Sequence, residues 1–113
     1  MPYKVLIIDD SAVVRQTLSQ IYSSDPDLEV VGTAPDAIIA LKKLEELKPD
    51  VLSLDVQMPR MDGITFLERL MKSNPMPVVM VSALTTKGSQ EALRSLELGA
   101  IDIVEKPRLD VRE

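Results

Sequence analysis

The 113-residue chain contains no cysteine and no histidine. Without these two residue types it cannot form a Ser-His-Asp or Cys-His nucleophilic site, and it lacks the usual ligands of a zinc ion. The absence of cysteine is also consistent with a reducing compartment. Any chemistry must therefore rest on carboxylates, hydroxyls, lysine, arginine or a hard cation.

The sequence also lacks an apolar run of about 18 residues and the charged and apolar regions of a signal peptide. Its 13 basic and 18 acidic residues give a formal net charge of -5, and the basic residues form no stripe. Nucleic acid is therefore not expected as a direct partner. From these absences we expect a soluble, cytoplasmic protein that has no membrane span.

The residues that are present alternate between five short apolar runs and four amphipathic stretches, as in a parallel sheet covered by helices on both faces. The strand-like runs are Lys4–Ile8, Leu28–Gly32, Val51–Leu54, Val78–Ser82 and Ile101–Glu105. The apolar faces predicted for the helices comprise Val14, Leu18 and Ile21; Ala37, Ala40, Leu41, Leu44 and Leu47; Phe66, Leu67, Leu70 and Met71; and Ala92, Leu93, Leu96 and Ala100.

The polarity of the runs predicts their order in the sheet. The first, third and fourth runs are almost wholly apolar, as in strands covered on both faces. The second and fifth carry Glu29, Asp102 and Glu105, which suits the sheet edges. We therefore predict an α/β fold with a doubly wound, five-stranded parallel sheet of order 2-1-3-4-5. Only residues 108–113 follow Pro107, so we expect the last helix to be truncated and the chain to belong to a longer protein.

Three aspartates lie at the ends of two strands that this order makes neighbours. Asp9 and Asp10 follow the first strand, and Asp55 follows the third. In such a sheet, ligands bind beyond the carboxyl ends of the strands at this point of reversal. Two like charges about 4 Å apart repel by about 4 kcal/mol at an effective dielectric near 20. The cluster should therefore raise its own pKa values or bind a hard cation, of which Mg²⁺ is expected beside a phosphate.

Two more polar residues lie at the same rim, because Ser82 ends the fourth strand and Lys106 follows the fifth. Acidic groups, a hydroxyl and an ammonium together suit phosphoryl transfer to an aspartate. Each residue alone also has a structural explanation: Asp10 or Ser11 could cap the first helix, Asp55 could begin a turn, and Ser82 or Lys106 could be ordinary strand-end residues. The convergence of all these groups at four strand ends favours function.

Four motifs resemble those of response-regulator receiver domains, the phosphoacceptors of two-component signalling: "DD", "LDVQMPRMDG", "VMVSAL" and "EKP", in this order and spacing. The resemblance covers residues 3 to about 111. It implies that Asp55 takes a phosphoryl group from a phosphohistidine on a partner kinase. It also implies that Asp10, Asp55 and the backbone carbonyl of Gln57 bind Mg²⁺ directly, and that Asp9 acts through water.

The same resemblance implies roles for the remaining rim residues. Lys106 would pair with the phosphoryl oxygens, and Ser82 would move to hydrogen-bond the phosphoryl group, shifting the loop after the fourth strand. Ile103 occupies the switch position, where many receivers have an aromatic residue, so a mechanism gated by a Tyr or Phe rotamer is not expected.

Longer segments resemble the receiver of the chemotaxis protein-glutamate methylesterase: "SDPDLEVVGTAPD", "MPRMDGITFLERLM" and "PMPVVMVSALTTKGSQEALRSLELGAIDIVEKP". This resemblance implies that residues 1–113 are a receiver domain, and that a C-terminal methylesterase domain, absent from this chain, follows in the parent protein. The phosphodonor would be the chemotaxis histidine kinase, and methyl-accepting receptors would be affected indirectly. Gln57 stands where this family usually has Glu, and the phosphoryl lifetime is therefore not predicted.

Three alternatives are compatible with parts of the sequence. A stand-alone or differently coupled receiver would keep the site without the esterase. A haloacid-dehalogenase-like phosphohydrolase also uses Mg²⁺ and an aspartate, but it needs a D-x-D pattern where this chain has Asp9-Asp10-Ser11. A binding module that merely shares the fold would not give the three aspartates a common ligand. A separate hypothesis concerns the truncation: a domain without its last helix could dimerise through the uncovered flank near the fifth strand.

Overall fold

The computed structural model describes residues 2–58, 60–83 and 89–107 and contains a five-stranded parallel sheet of order β2-β1-β3-β4-β5. The predicted fold class and strand order are therefore confirmed. Residues 108–113, on which the expected truncation rests, and residues 84–88 of the "VMVSAL" region and its following loop lie outside the described residues. The elements are β1 (Tyr3–Ile8), α1 (Ala12–Ser23), β2 (Leu28–Ala34), α2 (Ala37–Leu47), β3 (Val51–Asp55), α3 (Gly63–Ser73), β4 (Val78–Ser82), α4 (Gln90–Glu97) and β5 (Asp102–Glu105).

The edge and central strands differ in burial as their polarity predicts. Glu29 in β2 and Asp102 and Glu105 in β5 are exposed. In the central strands, Leu52 and Leu54 are fully buried. These three charged side chains therefore lie at the edges, where water reaches them, and the three central strands form the core of the sheet.

Each helix packs on one face of the sheet, and successive β1 residues supply the cores of opposite faces. Leu6 and Ile8 belong to the larger core, beneath α2, α3 and α4. Val5 and Ile7 belong to the smaller core, beneath α1. No helix within the described ranges combines the length and the apolar character needed to cross a membrane.

Several apolar residues predicted on buried helix faces are instead exposed, namely Ile21, Leu41, Leu93 and Leu96. In α4 the buried positions are Ala92 and Ser95. These small side chains allow the helix to lie close to the sheet, so the larger leucines point outward. For these residues the prediction was wrong, because apolar spacing along a helix does not by itself determine which side faces the sheet.

The face of the sheet beneath α1 holds a cavity of about 240 Å³ whose lining extends to Val104 of β5. Val51 and Val79 line it and are only half-buried, and Val104 is 41% exposed. The hydroxyl groups of Tyr22 and Ser53 lie 2.8 Å apart in a hydrogen bond at its wall. The described residues therefore leave part of this apolar face uncovered.

Candidate functional site

The carboxyl ends of β1, β3 and β5 bring two buried aspartates and one lysine together. The Lys106 ammonium nitrogen lies 3.2 Å from Oδ2 of Asp9 and 3.2 Å from Oδ2 of Asp55. The two carboxylate side chains are 1% and 2% exposed, and the lysine side chain is 16% exposed. The expected meeting of the first and third strand ends beside Lys106 is confirmed.

Backbone hydrogen bonds hold the other oxygen of each carboxylate. Asp9 Oδ1 accepts from the backbone N–H of Ser11 at 2.9 Å, and Asp55 Oδ1 accepts from that of Gln57 at 3.2 Å. These bonds orient both side chains so that their Oδ2 atoms face Lys106. Ser11 also caps α1, since its hydroxyl accepts from the Val14 N–H, so the capping alternative holds for Ser11.

Asp10 completes a three-carboxylate cluster on the open side of the site. Its side chain is exposed, whereas Asp9 and Asp55 are buried. One carboxylate oxygen from each of the three residues lies within 4.8 Å of the others. Oxygens this close, supplied by two strand ends, could contact one ion together.

Burial and charge oppose each other in this cluster. Burial, followed by the charge of Asp9, raises the pKa of Asp55 to about 6, although Lys106 and the Gln57 N–H favour its ionised form. Burial opposes the charge of Lys106, but attraction by Asp55 and Asp9 outweighs burial and raises the pKa of Lys106 above its usual value. One ammonium is therefore shared between two buried carboxylates and leaves excess negative charge.

The donor set of the cluster fits a small, hard cation. The Oδ2 atoms of Asp9 and Asp55 are buried, and neither accepts a hydrogen bond of good geometry within the described part of the chain. All the candidate ligands are oxygens, which Mg²⁺ prefers. An acidic pocket with the ligand chemistry of a Mg²⁺ site is therefore present.

Ser82 lies on β4, which neighbours the strand of Asp55, and Ile103 lies on β5, one strand further out. Ser82 is the last residue of β4, is 4% exposed, and its carbonyl accepts from the Lys106 N–H at 2.9 Å. Asp55 pairs in register with Val81, the residue before Ser82. Ile103 is 7% exposed and packs in the larger core. Ser82 is therefore placed at the rim, whereas the Ile103 side chain is part of the packed interior.

Two residues near the site were not found by sequence reasoning. The Arg15 guanidinium donates to the backbone carbonyl of Asp9 at 2.7 Å, and Gly63 contacts the backbone of Asp55. The position of Arg15 depends on the direction in which α1 leaves the rim, and no local sequence pattern predicts that direction. Gly63 belongs to the "MPRMDG" motif, but its contact depends on how α3 packs.

The sheet of this order and the acidic rim at its carboxyl edge occur in a chain that matches the family described as the response regulator receiver domain. Residues 5–112 match that family, and the chain belongs to it. The chain is 58% identical over 110 residues to protein-glutamate methylesterase/protein-glutamine glutaminase 2 of Cupriavidus pinatubonensis, an alignment that covers 97% of this chain and 31% of the relative. The chain therefore spans about a third of the length of such relatives.

Solved structures support the same assignment. The response regulator domain of Thermotoga maritima CheB matches with a TM-score of 0.89 and 42% identity, covering 98% of this chain and 84% of that one. A chain of the CheX-CheY-BeF3-Mg²⁺ complex of Borrelia burgdorferi matches with a TM-score of 0.83 and 36% identity, covering 97% and 81%. The predicted resemblance to methylesterase receivers is confirmed, and the alternatives to a receiver of this type are not favoured.

Proposed function

We propose that this chain is the Mg²⁺-dependent phosphoacceptor of a chemotaxis response regulator and that Asp55 takes the phosphoryl group. Receiver domains take phosphoryl groups from histidine kinases, and the chain has no histidine of its own. The observation that carries the proposal is the Lys106 ammonium, 3.2 Å from each of two buried carboxylates. The phosphodonor is proposed to be a chemotaxis histidine kinase.

In the proposed reaction, an oxygen of Asp55 attacks the phosphorus of the phosphohistidine. The new O–P bond forms as the P–N bond breaks, and the histidine leaves with the electron pair and takes up a proton. Lys106 neutralises charge on the phosphoryl oxygens, and Ser82 donates a hydrogen bond to them after the transfer. Phosphorylation thereby adds close to two negative charges to the rim, which biases the loop after β4.

Asp10, Asp55 and the backbone carbonyl of Gln57 would hold Mg²⁺, and Asp9 would contact it through water. The cation would draw negative charge from the phosphoryl oxygens during transfer. Asp9 and Asp55 are nearly alike in burial and in their distance from Lys106. The choice of Asp55 as acceptor therefore rests on its place in the "LDVQMPRMDG" motif.

Acetyl phosphate tests this proposal without the kinase. Incubation of the chain with acetyl phosphate and Mg²⁺, followed by peptide mass spectrometry, should place one phosphoryl group on Asp55. Chelation of the metal should prevent labelling. A label on Asp9, Asp10 or any other residue, or labelling that ignores the chelator, would contradict the assignment.

Replacing Asp10 with asparagine should weaken Mg²⁺ binding by about tenfold or more, because the cluster loses one of its anionic ligands. Asp50→Asn is the matched control, since Asp50 is exposed and precedes β3 at the opposite end of that strand. Titration calorimetry with Mg²⁺ measures both variants. Unchanged affinity in the Asp10 variant would refute its role as a ligand.

We further propose that the parent protein continues into a C-terminal methylesterase domain that phosphorylation of this receiver regulates. The support is the 58% identity to a methylesterase of which the alignment covers only 31%. Through that domain the receiver would act indirectly on methyl-accepting receptors in the cytoplasm. Measuring methyl release by the full parent protein, with and without acetyl phosphate, tests the coupling.

The partly uncovered face beside β5 is the proposed site of a dimer of this chain. Val104, which is 41% exposed, and the half-buried Val79 line the same cavity there. Light scattering at high protein concentration should show dimers, and Val104→Lys should reduce them, because a charge would be placed in the apolar contact. A clean monomer at every concentration would end this proposal.

A further inference from the structure

The first residue of α3, Gly63, touches the backbone of the proposed phosphoacceptor. A methyl group on Gly63 would lie 1.9 Å from the Asp55 carbonyl oxygen, 2.9 Å from the carbonyl carbon and 3.0 Å from the Val56 Cα. An overlap of this size cannot be accommodated without movement, because carbon and oxygen atoms in contact lie more than 3 Å apart. Only glycine fits between α3 and the end of β3.

This contact is between backbone segments, so no side chain can rotate to relieve it. The Gly63 N–H donates to the Val56 carbonyl at 2.7 Å, which ties the start of α3 to the residue after Asp55. Asp62 caps the helix by accepting from the Thr65 N–H at 2.8 Å. The first turn of α3 is therefore held against the carbonyl of Asp55.

Backbone conformation does not explain the glycine. Among the glycines in the described ranges, only Gly99 has a positive φ, of 113°. Alanine is a better helix former than glycine. Without the contact, alanine at position 63 would thus leave stability unchanged or increase it. A loss of stability in Gly63→Ala would therefore indicate the contact.

We propose that Gly63 is a positioning residue for the phosphoacceptor site. The inference rests on the proposed function, in which Asp55 accepts the phosphoryl group and Gln57 supplies a metal ligand. A side chain at position 63 must displace either α3 or the Asp55 carbonyl. Displacement of the carbonyl would shift the Asp55 carboxylate from its present position, 3.2 Å from the Lys106 ammonium, and would shift the segment that carries Gln57.

Gly63→Ala should lower Mg²⁺ affinity and the rate of labelling by acetyl phosphate by about tenfold or more, because small misplacements of reacting groups have large effects. In the metal-free protein, NMR should show altered amide shifts at residues 55–57. Gly99→Ala and Gly32→Ala are the controls. The first strains a positive φ, and the second places a methyl group 2.7 Å from the flexible Leu47 Cδ1.

Gly99→Ala should lose thermal stability, because its φ of 113° strains any side chain, whereas Gly32→Ala should change stability little. Both controls should keep Mg²⁺ affinity within about twofold of the wild type, as expected for changes outside the site. A folded Gly63→Ala variant whose Mg²⁺ affinity is within about twofold of the wild type, and whose amide shifts at residues 55–57 are unchanged, would overturn the proposal. The amide shifts also separate the two inferences. If they change but wild-type Asp55 takes no phosphoryl group, then the proposed function fails while the contact stands.

If Gly63→Ala does not fold, a pair of variants at Asp62 decides. Asp62→Ala removes the cap that holds the first turn of α3, whereas Asp62→Asn preserves a good cap. Mg²⁺ affinity should fall by about threefold or more in the alanine variant, because the first turn of α3 loses its cap. It should be retained in the asparagine variant. Equal affinities in the two variants would overturn the proposal.

Discussion

Replacing Asp55 with asparagine should abolish phosphoryl incorporation from acetyl phosphate in the presence of Mg²⁺. A side-chain amide cannot form the acyl phosphate that a carboxylate forms. The substitution also removes one of the two carboxylates that share the Lys106 ammonium, 3.2 Å away. Intact-protein mass spectrometry should therefore detect no phosphorylated species.

Asp50→Asn provides a control on the same strand. Asp50 lies at the opposite end of β3 and accepts a hydrogen bond from the Lys4 N–H at 2.8 Å. The Asp50→Asn variant should therefore be phosphorylated on Asp55 as the wild type is. An Asp55 variant that still took up phosphate at the normal rate would show that another residue is the acceptor. The next candidate acceptor is Asp9, which pairs with the same lysine, Lys106.

Replacing Lys106 with methionine should destabilise the metal-free protein at neutral and higher pH by about 3 kcal/mol, a cost typical of leaving a buried charge without its partner. Within the described part of the chain, Lys106 is the only cation in ion-pair contact with Asp9 and Asp55. Urea unfolding at pH 5 and pH 8, chosen at about one to two pH units on either side of the Asp55 pKa, measures the loss.

The sign of the pH dependence follows from Asp55. Its pKa in the folded protein, about 6, is above its usual value of 3.8, so the folded state binds the proton more tightly. Stability in the wild type should therefore fall as the pH rises from about 4 through about 6. Without Lys106 the pKa of Asp55 rises further, so Asp55 is protonated in acid and no longer needs a cation. The stability lost on replacing Lys106 should therefore be smaller at pH 5 than at pH 8.

Mg²⁺ should restore part of the stability of the Lys106 variant at high pH, because a cation can replace the missing positive charge. Lys72→Met is the control. Lys72 is 76% exposed and lies 3.7 Å from Glu68 on the surface of α3, and exposed pairs of this kind contribute little. A loss in the Lys106 variant that is the same at both pH values would contradict the electrostatic explanation.

Much of the fold could be predicted because the decisive signals are local. Glu29, Asp102 and Glu105 identify the edge strands, since an unpaired charge is costly inside a sheet covered on both faces. The order that follows makes the first and third strands neighbours. From that adjacency alone, Asp9 and Asp55 were expected at one rim, which is where the structure places them.

Local signals failed where several elements must be compared at once. The leucines of α4 were expected inside, but Ala92 and Ser95 are the buried positions. Apolar spacing marks a helix without stating how closely it approaches the sheet. The same limit applies to Asp9 and Asp10, of which only Asp9 is buried, since adjacent residues at a strand end point to different sides.

The sequence by itself determined the strand order and the set of acidic, hydroxyl and ammonium groups at the rim, because burial pattern and strand polarity are read one segment at a time. Only the tertiary structure decided that Lys106 lies equally close to Asp9 and Asp55, and that α3 leaves no room for a side chain at Gly63. Both contacts depend on distances between segments far apart in the chain, which are set by how the helices and strands pack together.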